Sequence, residues 1–566
     1  MQDRALFLSI FSFATGIAAW FVWTPVVAAP LVIAILCAAV FLKYKWLWAA
    51  MLAGFFWAGF QSDLVDTKLL LRSRRGADVV GIVERADYAA GKTRVFVRTP
   101  EDFLFRISIP EQKCAVGRPI ALKAKLYAPT APDAFNRFDY ARWSLWTGQS
   151  ATGSAPDGVC ETGPVDLRDR LHFSANNKLV DSLVLGYGAA IPRAEYDAIK
   201  STGAAHIFSI SGFHLALVGG WLFFIMLSLV KLFPGWTRRH PARNIALPLT
   251  AVGLFGYLLI SGGGTATIRS FAMLGATFAA LILGRRAFSL RTAAIIFLAM
   301  IIANPFWVVS AGFQLSFAAI FGIVLFFQGR RVGFWRGAVM TTIVATLWTA
   351  PFVIYHFASF PIYSLLGNLV LLPVFSFAIM PVAMVGALWR WPLFISDYLY
   401  GVVIRFANWI SALPMANAPL NDMPPFALFL CFAGMLCVLI GEKIRARILF
   451  IFAVAFWIAQ PTPILKTTND NEVVSFRGAF NTRWSENHPF AIPKGAAKAD
   501  CKKGVCEYKT ESWTAVSFQR FMPLWKNIDK LCEYDFIISY LPLELPKCQN
   551  KVLSGGVRIY EDGTRD

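Results

Sequence analysis

Residues 206–230 read "HIFSISGFHLALVGGWLFFIMLSLV", an apolar run opened by two histidines, two serines and a glycine. A helix needs about 17 to 25 apolar residues to span hydrocarbon, and this run reaches that length. An unpaired polar group in hydrocarbon costs several kcal/mol, so polar side chains at such a place face a bundle interior or a watery cavity. On one continuous helix, His206 and His214 stand about 80° apart with Ser211 roughly 60° further on, which makes one broad face. Gly212, directly after Ser211, invites a break that frees backbone groups for a cavity or for neighbouring protein to satisfy.

Similar runs recur through the 566 residues, which are 57% hydrophobic with a mean hydropathy of +0.54. The expected fold is a polytopic α-helical membrane protein of about thirteen spans. These lie near 5–23, 26–42, 46–62, 206–230, 245–260, 266–283, 290–303, 310–327, 337–355, 363–388, 393–411, 425–441 and 445–459. The first, "ALFLSIFSFATGIAAWFVW", lacks a small-residue cleavage site and reads as a retained helix. The weakest is 393–411, which holds Asp397 and Arg405.

With the N-terminus cytoplasmic, the inside loops carry Lys43, Lys45, Lys231, Arg238, Arg239, Arg243, Arg285, Arg286, Arg291, Arg330, Arg331, Arg336, Arg390, Lys443, Arg445 and Arg447. The short outside loops carry no Lys or Arg, so the positive-inside pattern puts the C-terminus outside. Most of the net charge of +20 is thereby explained by topology and by itself says little about partners.

Two stretches are water-soluble in character and fall outside the membrane: residues 63 to about 190, and 460–566. They hold Cys114 and Cys160, and Cys501, Cys506, Cys532 and Cys548; an even count per segment in an oxidising compartment reads as disulfides. Cys114 and Cys160 are expected to pair, while the four later cysteines leave three pairings open. Short β-rich runs, "DVVGIVERAD", "TRVFVRT", "FLFRISI" and "RPIALKAKLYAP", fit a small OB-like β-barrel, with Arg94, Phe96, Arg98, Arg106, Lys123 and Lys125 as candidate contacts for single-stranded nucleic acid. Alternation of basic and apolar residues is also what any half-buried strand shows. The stretch "DLRDRLHFSANNKLVDSLVLG" predicts an amphipathic helix, on the outer leaflet or against the barrel. The last segment reads as a small β-rich domain without an HxHxD metal motif, so neither a metal nor another cofactor is expected.

Further polar groups punctuate the spans: Arg269 in "SGGGTATIRS", Gln314 and Ser316 in "GFQLSF", His356 in "PFVIYHF" and Asn368 in "LLGNLVLLP". With His206, Ser211, Gly212 and His214 they are the candidate lining of a pathway. Such residues also serve simply to bridge helices. A transporter of a small solute or lipid fits the same pattern; an intramembrane serine protease, with Ser211 as nucleophile and His356 as base, fits it less well because no companion acid is evident.

The segment 183–220, "LVLGYGAAIPRAEYDAIKSTGAAHIFSISGFHLALVGG", resembles the signature of ComEC-type competence proteins. The resemblance continues in order through "SGGGTATIRSFAM", "NPFWVVSAGFQLSFAAIFGI" and "APFVIYHFASFPIYSLLGNLVLLP", and "NRFDYARWSLWTGQSATG" resembles that family's join between OB-type domain and membrane part. It covers roughly residues 30–460 and implies an inner-membrane channel that carries single-stranded DNA inward during natural transformation, with a periplasmic DNA receptor and a cytoplasmic ATPase as partners. Many family members end in a metallo-β-lactamase-like domain. This tail lacks the metal motif, so the resemblance carries no nuclease activity over. The expected organisation is N-terminal spans 1–62, an extracytoplasmic OB-like domain 63–160, an interfacial helix and linker 161–204, a channel domain 205–459 and a C-terminal domain 460–566.

Overall fold

The computed structural model describes residues 2–22, 45–70, 73–89, 91–112, 114–129, 140–161, 167–210, 212–233, 235, 238, 241–284, 289–330, 332–389, 391–420 and 423–459, with the strand segments of the tail, 532–535 and 548. The expected span 26–42 lies outside them.

Among the described residues, the first helices are α1 (Gln2–Val22) and α2 (Lys45–Asp63), packed along each other. Five strands follow, β1 (Arg74–Ala89), β2 (Lys92–Arg98), β3 (Leu104–Pro110), β4 (Pro119–Tyr127) and β5 (Ala151–Ser154), with helix α3 (Tyr140–Thr147) before the last. They close into a barrel in the order β1-β2-β3-β5-β4. Alternation sets the faces: along β4, Ile120, Leu122, Ala124 and Leu126 point inward, while Lys123 and Lys125 point out. A bulge between Val83 and Arg85 lets the long β1 pair with β2 at one end and β4 at the other. Val95, Val97 and Ile107 are fully buried in the interior, each contributing about 1.5–3 kcal/mol by burial. The Cys114–Cys160 disulfide, with Cα atoms 5.4 Å apart, ties the β3–β4 loop to the segment after β5.

Next come α4 (Leu167–Ala175), α5 (Lys178–Leu183) and α6 (Arg193–Ser201). The single amphipathic helix expected here is two helices. The break has a local cause: Asn177 caps α5, its side chain accepting from the amides of Leu179 and Val180, and Asn176 takes a positive φ of 46°. Leu179 to Leu183 are all buried, so α5 packs inside the protein and does not lie on a leaflet.

The remaining helices are α7 (Gly212–Lys231), α8 (Ala242–Ile260), α9 (Thr265–Ile282), α10 (Leu290–Ala303), α11 (Ala311–Phe327), α12 (Phe334–Phe357), α13 (Ser364–Val374), α14 (Met380–Leu388), α15 (Leu393–Ser411), α16 (Pro425–Leu439) and α17 (Lys443–Ile458). Helices α13 and α14 run on through a π turn at Phe375–Ile379, beside Pro373 and Pro381. Among the described residues, His214–Lys231, Ala242–Ile260, Trp335–Phe357 and Ser364–Leu388 are long and apolar enough to cross a membrane, and five further apolar helices are shorter. One expectation is corrected. His206 lies in a separate 3₁₀ turn, Ala205–Phe208, and α7 begins at Gly212, so the two histidines do not share a helix.

Among the described residues, three large apolar clusters tie the elements together, with a smaller one around Ala318, Phe352 and Met435. One runs without interruption from the barrel interior through Val180 and Leu185 to Leu215, Leu254 and Ala383. A second joins α1, α10 and α11 through Phe11, Phe297 and Phe317, and a third joins α5 and α6 to α13 and α15 through Ile199, Phe375 and Tyr400. In the tail, two sheets have strand orders running from Phe480–Trp484 to Arg558–Ile559, and from Lys498–Lys502 to Val552–Ser554. Cys532 and Cys548 are bonded, and Cys501 stands opposite Cys506 on paired strands.

Candidate functional site

The loop Ser261–Gly264 turns the chain from α8 into α9. Gly262 and Gly263 take φ of 78° and 58°, a region that favours glycine. Arg269 stands in the second turn of α9, only 6% exposed, with its Nε buried and without a hydrogen-bond partner. It makes no ion pair among the described residues. Ala272, Met273 and Ala276, which share its helix face by spacing, pack on the cluster of α1, α10 and α11. The other side of α9 meets the turn that leads into α7: Thr267 Oγ1 donates to Ile210 O at 3.4 Å, and a Cβ placed on Gly212 would lie 3.3 Å from Ser270 Oγ.

The other predicted residues fall on several different elements. His214 is buried on α7, whereas His206 is exposed; Ser211 lies outside the described residues. Gln314 and His356 come together: His356 Nε2 is 2.7 Å from Gln314 Oε1, and Gln314 Nε2 donates to Val308 O at 2.8 Å. Ser316 is half-buried on α11. Asn368 on α13 has a buried Oδ1 without a partner, next to Gly367, which packs on Thr202. No hydrogen bond joins Arg269, Asn368 and the Gln314–His356 pair to one another among the described residues.

On the barrel, the six candidate contacts differ in what they offer. Phe96 is buried, with Arg85 over its ring at 3.9 Å from the centroid, so its face is already covered. Arg98 is engaged by Glu84 and by Asp102, the latter at 2.6 Å. Arg94 is half-buried; burial first, then the charge of Arg106, push it below the ordinary guanidinium value. Arg106 lies over Tyr140 at 5.9 Å, and Lys123 and Lys125 are exposed on β4.

The sequence reading missed the joint between barrel and helices. Arg168 on α4 donates through Nε and Nη2 to Leu185 O, lies over the Tyr187 ring at 4.0 Å and reaches to 3.9 Å from Asp87 of the barrel. Its guanidinium also packs on Gly262, where a Cβ would approach it to 2.7 Å. His172 Nδ1 lies 2.6 Å from Asp181 Oδ1, both side chains are buried, and burial holds the Asp181 carboxyl above its usual range. These residues are far apart in sequence or carry no spacing signal, so no local pattern announces them.

Residues 183–444 match the family model described as "Competence protein". The chain carries a competence-protein domain. It begins inside α5 and takes in α6 to α16, with Arg269, Gln314, His356 and Asn368. The chain is similar to "ComE operon protein 3" of Bacillus subtilis (strain 168), 28% identical over 213 residues, which cover 37% of this chain and 26% of that protein. It is also similar to "Competence protein ComA" of Neisseria gonorrhoeae, 28% identical over 285 residues, covering 47% of this chain and 39% of that one. The matched segments thus span well under half the length of either relative. No solved structure matches the chain. The barrel precedes the matched range, and Arg168 links its Asp87 to that range by hydrogen bonds to Leu185 O and by packing on Gly262.

Proposed function

We propose that the protein carries single-stranded DNA across the bacterial inner membrane during natural transformation, with an OB-like barrel on the outer side capturing the strand. The observation that carries the reading is the continuity of one apolar core from the barrel interior into the competence domain, which couples a strand-binding fold to the helices beneath it. The closed barrel of five strands matches the strand number of an OB-type barrel. Phosphate charge cannot cross hydrocarbon bare, and the polar groups within the bundle, Arg269 foremost, suit a partly aqueous route. His206, Gly212, His214, Gln314, Ser316, His356 and Asn368, with Ser211, are the further wall residues proposed. The intramembrane-protease reading is less well supported, because the imidazole it needs as base is bound to Gln314.

In this reading the N-terminus is cytoplasmic and the barrel and tail are periplasmic, and a periplasmic receptor and a cytoplasmic ATPase supply delivery and drive. Labelled DNA followed into a host lacking this gene tests it. The expected result is periplasmic capture without cytoplasmic arrival, restored by the intact gene. Normal arrival in the deletion strain would exclude the proposed role.

A further inference from the structure

Helix α9 opens without a side-chain cap: its N-cap is Gly264, and the two residues before that are the positive-φ glycines of the loop. A helix N-terminus leaves backbone N–H groups without intrahelical acceptors, and these together with the helix dipole favour an anion. Uncapped ends are common, and this one alone would mean little. What sets it apart is Arg269, one turn behind. Side chains on a helix lean back toward its N-terminus, so the guanidinium is carried toward the same end. It is 6% exposed, its Nε is buried with no partner, and no carboxylate pairs with it among the described residues.

A buried cation without a counter-charge carries a desolvation penalty that an anion at this end of the helix offsets. Arg168 adds positive charge on the far side of the loop, against Gly262, although Asp87 at 3.9 Å balances part of it and Leu185 O occupies two of its N–H groups. The N–H groups of Gly262, Gly263 and Thr267 already donate to Leu259 O, Leu258 O and Gly264 O, which leaves those of Gly264, Thr265 and Ala266 for a ligand; these amides and a guanidinium together match the oxygens of a phosphate.

We infer that the Gly262–Gly264 loop, the N-terminus of α9 and Arg269 form a binding site for one phosphodiester anion. The inference rests on the transport reading for its expected source, the backbone of the incoming strand; the headgroup of an anionic phospholipid offers the same chemistry. With one unpartnered buried guanidinium at this helix end, the site holds one phosphate at a time and acts as a stepping point on the route.

The test uses the full chain in phosphatidylcholine nanodiscs with a thiol introduced by Gly264→Cys. The position is exposed, and a Cβ there meets only Thr267 Oγ1, at 3.7 Å. Modification rates are compared for anionic sulfonatoethyl and cationic aminoethyl methanethiosulfonate, with the chain retaining Gly264 as background. The anionic reagent is expected to react roughly fivefold faster or more, a preference that falls close to unity with Arg269→Gln and survives in part with Arg269→Lys. Oligothymidylate is expected to protect the thiol, and its uncharged methylphosphonate analogue is not. Protection by phosphatidylglycerol in the nanodisc but not by oligothymidylate would keep the phosphodiester site and assign it to lipid. An unchanged charge preference in Arg269→Gln, or equal protection by charged and uncharged strands, would overturn the site. That failure is separable from failure of the transport reading, which the deletion strain decides by itself.

Discussion

The ring of Tyr88 at the end of β1 stacks on the imidazole of His172 in α4, with centroids 4.0 Å apart and an interplanar angle of 12°. Tyr187 meets the Tyr88 ring edge-on at 5.4 Å, so one aromatic side chain of the barrel is held between His172 of α4 and Tyr187 of the loop that follows α5. Tyr88→Ala should therefore loosen the barrel at its seat, with a loss of about 3 kcal/mol or more in line with truncation of a buried aromatic. Tyr88→Phe should keep most of the stacking. Limited proteolysis of the purified chain checks this: faster release of a barrel fragment in the alanine variant alone is the expected pattern.

Asp181 sets a pH dependence with a definite sign. Burial raises its folded pKa above the ordinary value of 3.8, so the folded state binds more protons than the unfolded one across the interval between the two. Its contribution to stability is full below the ordinary carboxylate value and falls as pH rises through the raised one. The thermal midpoint in detergent should show this decline, and Asp181→Asn should flatten it. An identical slope in both proteins would show that the carboxyl is not its source.

Cutting the Cys114–Cys160 bond frees a loop with a sequence separation of 46 in the unfolded chain. Loop-closure entropy puts the loss for Cys114→Ser at about 4 kcal/mol. A lowered thermal midpoint for the barrel is expected, together with a free Cys160 thiol in non-reduced peptides of the variant.

The Gln314–His356 bond makes a sharper test of the bundle interior. Gln314→Leu leaves a half-buried imidazole without its partner and should cost about 1–3 kcal/mol, whereas adding His356→Phe removes the orphan and should recover part of it. Additive losses in the double variant would show that the two side chains do not couple.

Gly367 is a packing requirement: a Cβ there would lie 2.2 Å from Thr202 O, so Gly367→Ala must push α13 away from the end of α6. A loss of about 1–3 kcal/mol is expected. Gly275 on α9 is the control. A Cβ there meets nothing within 4 Å, and Gly275→Ala should be neutral or slightly stabilising, since alanine favours a helix by up to about 1 kcal/mol. Equal effects at the two positions would contradict this packing.

Several features needed nothing beyond local pattern. Apolar runs announce helices because a backbone in hydrocarbon must satisfy its own hydrogen bonds. The barrel strands announce themselves by alternation, as in β4, because one face is buried and the other wet. Cys114 and Cys160 were legible because they are the two cysteines of their segment. The order of competence motifs, likewise, lies along the chain and needs no coordinates.

What the tertiary structure alone decided is who meets whom. A helix that is apolar on every side carries no stripe to say which face packs, so nothing local in Gln314 points to His356, 42 residues away. Tyr88, His172 and Asp181 meet across three elements, and Phe96, a candidate contact for nucleic acid from its sequence, is buried and covered by Arg85. The start of α7 at Gly212 separates His206 from His214, although periodicity alone would place them on one face. Local sequence determines what a segment becomes through solvation of its backbone and burial of its faces. Which residues share a site follows from how those segments close on one another, and that closure is set by shape and by contacts distant in the chain.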